Sequence, residues 1–363
     1  FQIWIETDKP GAQPGWGARP FPKESREGQF QLLASGNGDE GVLHINADAR
    51  ILGATLKAGE TLEYTADPQR HLYLVPSARV DVNGTADVRA AIAASLTAQG
   101  LQGAVWSTVT DDTIAVDAAG VRDGRTGVAL DANDQVHVGS VAKTLLATGV
   151  LQLVGEGRFT LDTPVSELLP GIAFDNPWAS GHPVRVRHLL DHTAGLDDAR
   201  LSDMFSLQTR ADAPLETLFG ERALRVRSVP GSRHSYSNTG YTLLAMMVKA
   251  VTGTRYEAHL AARLLQPVGM PDSTFASTTQ EGPRASPRLA MGHFENGVAH
   301  AAVPMRMRPA GQFTTTAADM GRFAHFLMSN GRVDGNPLVD ATLLRAMGKP
   351  VGTEAAHAGL RVG

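Results

Sequence analysis

The stretch HVGSVAKTLLATGVLQLVGEG, His137 to Gly157, decides how the chain is read. Gly139 permits a sharp turn into a helix. Ser140 then sits at the helix N-terminus, where free N–H groups and the helix dipole favour developing negative charge. Val141, Leu145, Leu146, Val150, Leu151 and Val154 supply an apolar side to bury. An i, i+3 spacing puts Lys143 one turn from Ser140 on the same face. A lysine beside apolar neighbours loses hydration, its pKa falls, and it becomes a general base for the hydroxyl. An N-capping serine followed by a surface lysine has the same letters, and S-x-x-K alone does not separate the two.

Working outward, the 363 residues are 42% hydrophobic and 19% charged, which suits a globular chain of two domains or of one large domain with an appendage. A net charge of −4 and the lack of any Lys/Arg cluster give no footprint for nucleic acid. Cysteine is absent, which excludes disulfides, zinc–thiolate sites and a cysteine nucleophile, and leaves the compartment open. No apolar run is long enough to span a bilayer. The chain begins at Phe1 with no initiator Met and no signal peptide, and reads as a piece of something longer.

Two textures follow one another. In residues 1–84, VLHINAD, ARILGATL, TLEYTA and HLYLVPSARVDVNG are short strand-like runs separated by turn residues. From Thr85 the pattern turns helical, with Val88, Ile92 and Leu96 at helical spacing, followed by the strand-like GAVWSTVTD and TIAVDAAGV. The domain boundary is placed near Gly84, between segments 1–84 and 85–363.

A second constellation lies in PGSRHSYSNTGYTLLAMMVKAVTG, Pro230 to Gly253. Tyr236 offers a phenol that can relay a proton, and Asn238 an amide that can hold a substrate carbonyl or the lysine. A packed aromatic beside a helix N-cap at Asn238 or Thr239 has the same letters. HLLDHTAGL, His188 to Leu196, reads as a helix ending in a glycine turn, and His192 there reads as structural rather than catalytic.

Taken in order, the strand pair, GSVAK, LLDHTAGL, PGSRHSYSNTGY, LLQPVGMPDSTF and PAGQFTTTAADMGRF resemble the serine hydrolases of the class C β-lactamase, DD-peptidase and related esterase group, from about Ala86 to Gly363. The resemblance implies an α+β fold: a β-lactamase/DD-peptidase-like antiparallel sheet with flanking helices and an inserted helical domain, the active site lying between them. It implies Ser140 as the acylated nucleophile, Lys143 as its base, Tyr236 as the second proton carrier and Asn238 as a contact to substrate and lysine. One oxyanion donor is implied at the Ser140 N–H and the other on a late strand. Gln312 departs from the pattern where relatives usually carry a second glycine after Pro309-Ala310-Gly311. The third motif, Lys, His or Trp followed by x-Gly, is matched in letters by His357-Ala358-Gly359, but too soon after Tyr236 for the usual spacing. The terminal strands and final helix are therefore expected to be missing.

FQIWIETDKPGAQPGWGARPFP, together with DARILGATLKAGETLEYTADPQRHLYLVPSARVDVNG, resembles the C-terminal cupin half of a pirin-like protein, a small all-β segment. Pirin relatives carry their metal ligands on the other half, so His44 and His71 read as strand residues. A natural fusion, a gene-assembly artefact and a deliberate chimera all fit a junction at Asn83-Gly84. G-x-G-x-x-G occurs at Gly36 to Gly41, but a β run follows where a dinucleotide site needs a helix. G-x-S-x-G, H-E-x-x-H and S-D-N do not occur, which argues against an α/β-hydrolase, a zincin and a class A β-lactamase.

The sequence thus points to acyl transfer to water through Ser140, on a small ester, a β-lactam or a D-alanyl peptide, with esters first. No metal or cofactor is expected, the partner is a small-molecule substrate, and oligomeric state is left open. The alternative is a catalytically impaired binding or scaffold protein that keeps the fold. Residues 1–84 are expected to bind no metal and to add nothing to hydrolysis. Stoichiometric iron, nickel or zinc in the purified chain, lost when His44 and His71 are both replaced, would overturn this.

Overall fold

The computed structural model describes residues 21–347, apart from 23, 58–59, 66–84, 206–211, 221–222 and 295–296. By its internal contacts the chain divides into two compact units, Phe1–Asp81 and Val82–Gly363. In the first, β1 (Gln31–Ser35) lies between β2 (Leu43–His44), to which it is parallel, and β3 (Arg50–Gly53), to which it is antiparallel. Ala34 and Ser35 are its buried end. The strand-like runs VLHINAD and ARILGATL thus contain β2 and β3, while β1 is an addition. TLEYTA carries no strand over residues 61–65, and HLYLVPSARVDVNG lies outside the described residues. His44 ends β2 exposed, its Nε2 3.2 Å from Asn46 Oδ1, and His71 lies outside the described residues. β2 follows the Gly36 to Gly41 run, so a strand does stand where a dinucleotide site needs a helix.

In the second unit, α1 (Thr85–Ala98) turns Leu96 inward and leads to β4 (Gly103–Val109), β5 (Ile114–Asp123) and β6 (Val128–Ala129). β4 and β5 pair antiparallel in unbroken register from Gly103↔Gly120 to Val109↔Ile114. β6 adds on the far side of β5 after a bulge. The chain then runs through β7 (Val136–His137) into α2 (Ala142–Gly155), and on to α3 (Val186–Leu190), α4 (Asn238–Thr252) and α5 (Tyr256–Leu260). It returns through β8 (Thr314–Thr315) to α6 (Ala317–Met328), which packs across β4 and β5. The result is an α+β unit in which helices flank an antiparallel sheet and a helical region is inserted after the early strands. His357-Ala358-Gly359 lies outside the described residues.

The inserted helices share one core. Leu145, Leu146 and Val150 of α2, Leu243, Leu244 and Met247 of α4, and Leu189 and Leu260 are all buried to 0–1% exposure. Each such side chain contributes on the order of 1.5–3 kcal/mol of hydrophobic stabilisation. α2 packs on α4, and α3 packs on α4. Val141 differs from its expected place on the buried side: it is 43% exposed, because it belongs to a 3-10 turn ahead of α2.

Gly149 makes room on α2 for the side chain of Leu260, from α5. A Cβ there would lie 2.1 Å from Leu260 Cδ2, and because Leu260 is fully buried its side chain would have to shift within the core. Alanine gains about 1 kcal/mol of helix propensity over glycine, but overpacking a tight core costs about 1–3 kcal/mol or more, and at this distance the clash dominates. Gly149→Ala is therefore expected to lower the urea midpoint; an unchanged or raised midpoint would show that the two helices separate without cost.

Candidate active site

The turn that carries the serine is built by strand pairing. β7 and β8 pair antiparallel, Thr314 opposite His137, and Val138 N–H donates to Phe313 O at 3.2 Å. This ties the approach to Ser140 to the loop that ends at Gln312. Gly139 takes a left-handed φ of 54°, as its place in a sharp turn requires, and opens a 3-10 turn over Gly139–Val141. Ser140 thus stands one turn ahead of α2, and neither the 3-10 turn nor α2 has a side-chain N-cap.

The Ser140 hydroxyl is engaged elsewhere. Lys143 Nζ lies 3.0 Å from Ser140 Oγ, and Tyr236 OH donates to the same oxygen at 2.9 Å. Lys143 Nζ also donates to the carbonyl of Ala310. Ser140 is exposed, whereas Lys143 directly behind it is fully buried. The Lys143 Nζ stands 4.8 Å from the centre of the Tyr236 ring and 5.7 Å from that of Tyr241, so aromatic faces replace part of its lost hydration. Burial pushes the ammonium down to about 8, with the Asp198 carboxylate opposing. Burial likewise raises the Tyr236 phenol, which the bond to Ser140 partly offsets and Asp198 reinforces. A hydroxyl held between an amine near neutrality and a protonated phenol can hand its proton to one and receive another's.

Asn238 sits where its helix starts, but it reaches neither the lysine nor the serine by a hydrogen bond. Its backbone N–H and side-chain Nδ2 donate to the two oxygens of Asp198, at 2.7 and 2.9 Å, and Nδ2 lies 3.8 Å from Met204 Sδ. The N-cap of α4 is Ser237, one residue earlier than expected, whose Oγ accepts from Gly240 N–H at 3.2 Å. His192 is 2% exposed behind Tyr236, burial being the main cause of an imidazole pKa near 3, which keeps it neutral.

The PAGQ loop is anchored from beneath. Arg308, 3% exposed, donates Nε to Glu257 at 3.2 Å and a terminal nitrogen to the Ala213 carbonyl at 2.9 Å. Gln312, the departure from the family pattern, points inward, its Nε2 donating to the Phe275 carbonyl at 2.9 Å. Asp198, Arg308 and the Ala310 carbonyl are additions to the residues picked out by motif. Asp198 lies two residues after the HTAGL turn and Ala310 lies inside PAGQ, so nearness to a recognised motif was the one signal for either. Among the described residues no group of His, Asp and Glu is arranged to hold a metal ion, and no helix is long and apolar enough to cross a membrane.

Comparison with known proteins bears on both parts of the chain. Residues 88–363 match the family described as Beta-lactamase, and residues 32–103 match the quercetinase C-terminal cupin domain. Penicillin-binding protein 4 of Amycolatopsis lactamdurans is 32% identical over 244 residues, covering 64% of this chain and 61% of that protein. A pirin-like protein of Caulobacter vibrioides is 56% identical over 86 residues, 23% of this chain and 37% of that protein. The chain thus spans less than two thirds of the length of either relative. The solved structure of D-amino acid amidase from Ochrobactrum anthropi, complexed with L-phenylalanine, aligns with a TM-score of 0.57 at 26% identity, covering 72% of this chain and 73% of that one. Matched to that family over residues 88–363, well over half of its length, the chain belongs to the β-lactamase family, and its N-terminal part is similar to the quercetinase C-terminal cupin domain.

Proposed function

We propose that the chain is a serine hydrolase that passes an acyl group to water through an ester on Ser140. The observation that carries this is one oxygen held at 3.0 Å from a buried amine and 2.9 Å from a phenol, on an exposed turn. In its neutral form Lys143 keeps an N–H on Ala310 O and turns its lone pair to the Ser140 hydroxyl. Ser140 Oγ then bonds to the substrate carbonyl carbon while its proton moves to Lys143 Nζ. Tyr236, on the other side of the same oxygen, is placed to protonate the leaving oxygen or nitrogen, and the lysine proton restores the phenol. Water repeats the sequence in reverse to release the acid. The resemblance assigns Asn238 a substrate contact, and we keep that role with Asp198 as the group that orients its amide.

An alkoxide departs more readily than an amine, which must be protonated to leave. Small esters are therefore the substrates these groups serve with least assistance, and we place them ahead of amino-acid amides, β-lactams and D-alanyl peptides. The experiment is labelling of the purified chain with a fluorophosphonate, the adduct mapped by mass spectrometry, followed by turnover of a panel holding one member of each class. Label on Ser140 alone, lost in Ser140→Ala, is expected; label on another serine, or undiminished label in Ser140→Ala, would sink the reading. Lys143→Ala should abolish acylation, and Tyr236→Phe should slow turnover by about 10²–10⁴, the usual worth of a general acid–base. Full activity of Tyr236→Phe on every ester would reduce the phenol to packing.

The pH dependence has a defined sign. Below about 8 Lys143 is an ammonium and cannot accept the serine proton. Acylation by a neutral phosphonate should therefore rise roughly tenfold per pH unit and level off above about 8, as for any reaction that needs one deprotonated base. Tyr236, raised above its ordinary value, stays protonated across this range and leaves the plateau intact. A profile flat from weakly acidic to alkaline pH would remove Lys143 from the role of base.

A further inference from the structure

Tyr236 comes from a loop that precedes α4, and it has to present its hydroxyl to an oxygen 96 residues earlier in the chain. A loop residue with a free side chain would spread over several rotamers, and a proton donor misplaced by an ångström loses much of its value. Three contacts bear on this, and one residue makes all of them. The carbonyl of His192 accepts the N–H of Ser235 at 2.7 Å. Its ring Nδ1 accepts the N–H of Ser237 at 3.1 Å. Between these two, its ring face stacks on the Tyr236 ring, centroids 4.3 Å apart and planes inclined by 27°.

We propose that His192 is a positioning residue for Tyr236, gripping the chain on both sides of it and fixing the plane of the phenol. The proposal rests on the serine-hydrolase reading and adds to it a residue that touches neither substrate nor Ser140. The backbone agrees: His192 holds a left-handed φ of 55°, a conformation of non-glycine residues that is uncommon and costs energy. The turn tolerates it where doing so aims both the carbonyl and the ring at the segment 235–237. The ring is 2% exposed, and Tyr241 lies on it at 5.0 Å and His234 at 5.8 Å, so it has little room to swing. For Nδ1 to accept, the neutral ring carries its proton on Nε2. Burial, with His234 and Lys143 adding repulsion, secures that neutral form by pushing the imidazole down to about 3.

A residue that only fills the turn would cost stability and leave catalysis alone, so the test is a double-mutant cycle on the full chain. Four proteins are compared for kcat and KM on p-nitrophenyl acetate and for Ser140 labelling by a fluorophosphonate: wild type, His192→Asn, Tyr236→Phe and the double variant. Asparagine tolerates the left-handed backbone and keeps an acceptor, but it removes the stacked ring. We expect His192→Asn to lower kcat about tenfold or more with KM little changed. In the Tyr236→Phe background the same change should cost no more than about twofold, because coupled neighbours are non-additive. Equal losses in both backgrounds, or no loss of kcat in His192→Asn, would overturn the proposal while leaving the serine-hydrolase reading in place. His192→Gly, free at positive φ, serves as the second variant, and thermal unfolding is recorded for all. Failure of both His192 variants to fold would assign the residue a purely structural part. Absence of Ser140 labelling in the wild type would instead bring down the hydrolase reading and this role with it, whereas an unaltered Tyr236→Phe would remove this role and leave the Ser140–Lys143 reading standing.

Discussion

An ammonium surrenders its hydration at a large free-energy cost, and Lys143 has surrendered all of it. That single burial organises the surrounding structure. The lysine cannot point outward, because α2 places it on the side that faces the PAGQ loop. It cannot stay unpartnered, so the Ala310 carbonyl, the Ser140 hydroxyl and two aromatic faces close around it. Each partner in turn needs support: Ala310 from Arg308 and the β7–β8 pair, Ser140 from the left-handed Gly139, Tyr236 from the turn at His192. The chemistry and the packing are here one problem, since the dry surroundings that lower the lysine's pKa are the same ones that order the groups next to it.

The pairing of Ser140 with Lys143 was legible from the sequence because their relation is local: an i, i+3 step ahead of an amphipathic helix fixes their distance without knowledge of the rest. Tyr236 stood out in its own motif as a phenol able to relay a proton, but its meeting with Ser140 was legible through family resemblance alone, since no rule of local spacing brings the two together. The partners of Asn238 were not legible. Its amide turns to Asp198, 40 residues away, and the choice between an aspartate, a lysine and a substrate is made by tertiary placement. The same holds for the Arg308 pairing with Glu257, 51 residues away.

The β elements teach the same distinction. QLLAS, with Leu32 and Leu33 adjacent, lacks the alternation that marks a half-buried strand, yet it is the central strand of its sheet. TLEYTA has the composition of a strand and carries none over residues 61–65, because strand formation depends on a partner as much as on propensity. Val141 belongs to the apolar run in sequence but not in space, since the 3-10 turn rotates it off the buried side of α2. The expected boundary near Gly84 falls just ahead of α1, and the two family matches overlap from residue 88 to 103, so that α1 from Val88 onward and the first residue of β4 fall within both.

The ion pair beneath the PAGQ loop has a consequence for how such a site diversifies. Arg308 and Glu257 touch none of the reacting groups, yet the loop they pin carries the carbonyl that competes with Ser140 for the lysine. A small shift of that carbonyl changes how strongly the ammonium form is held, and so the acidity of the base. Under the proposed mechanism, the pH at which the site works would therefore respond to substitutions in the α5 region while serine, lysine and tyrosine stay as they are. On the same mechanism, the dial for the protonation state of Lys143 would be separate from the residues that carry out bond cleavage.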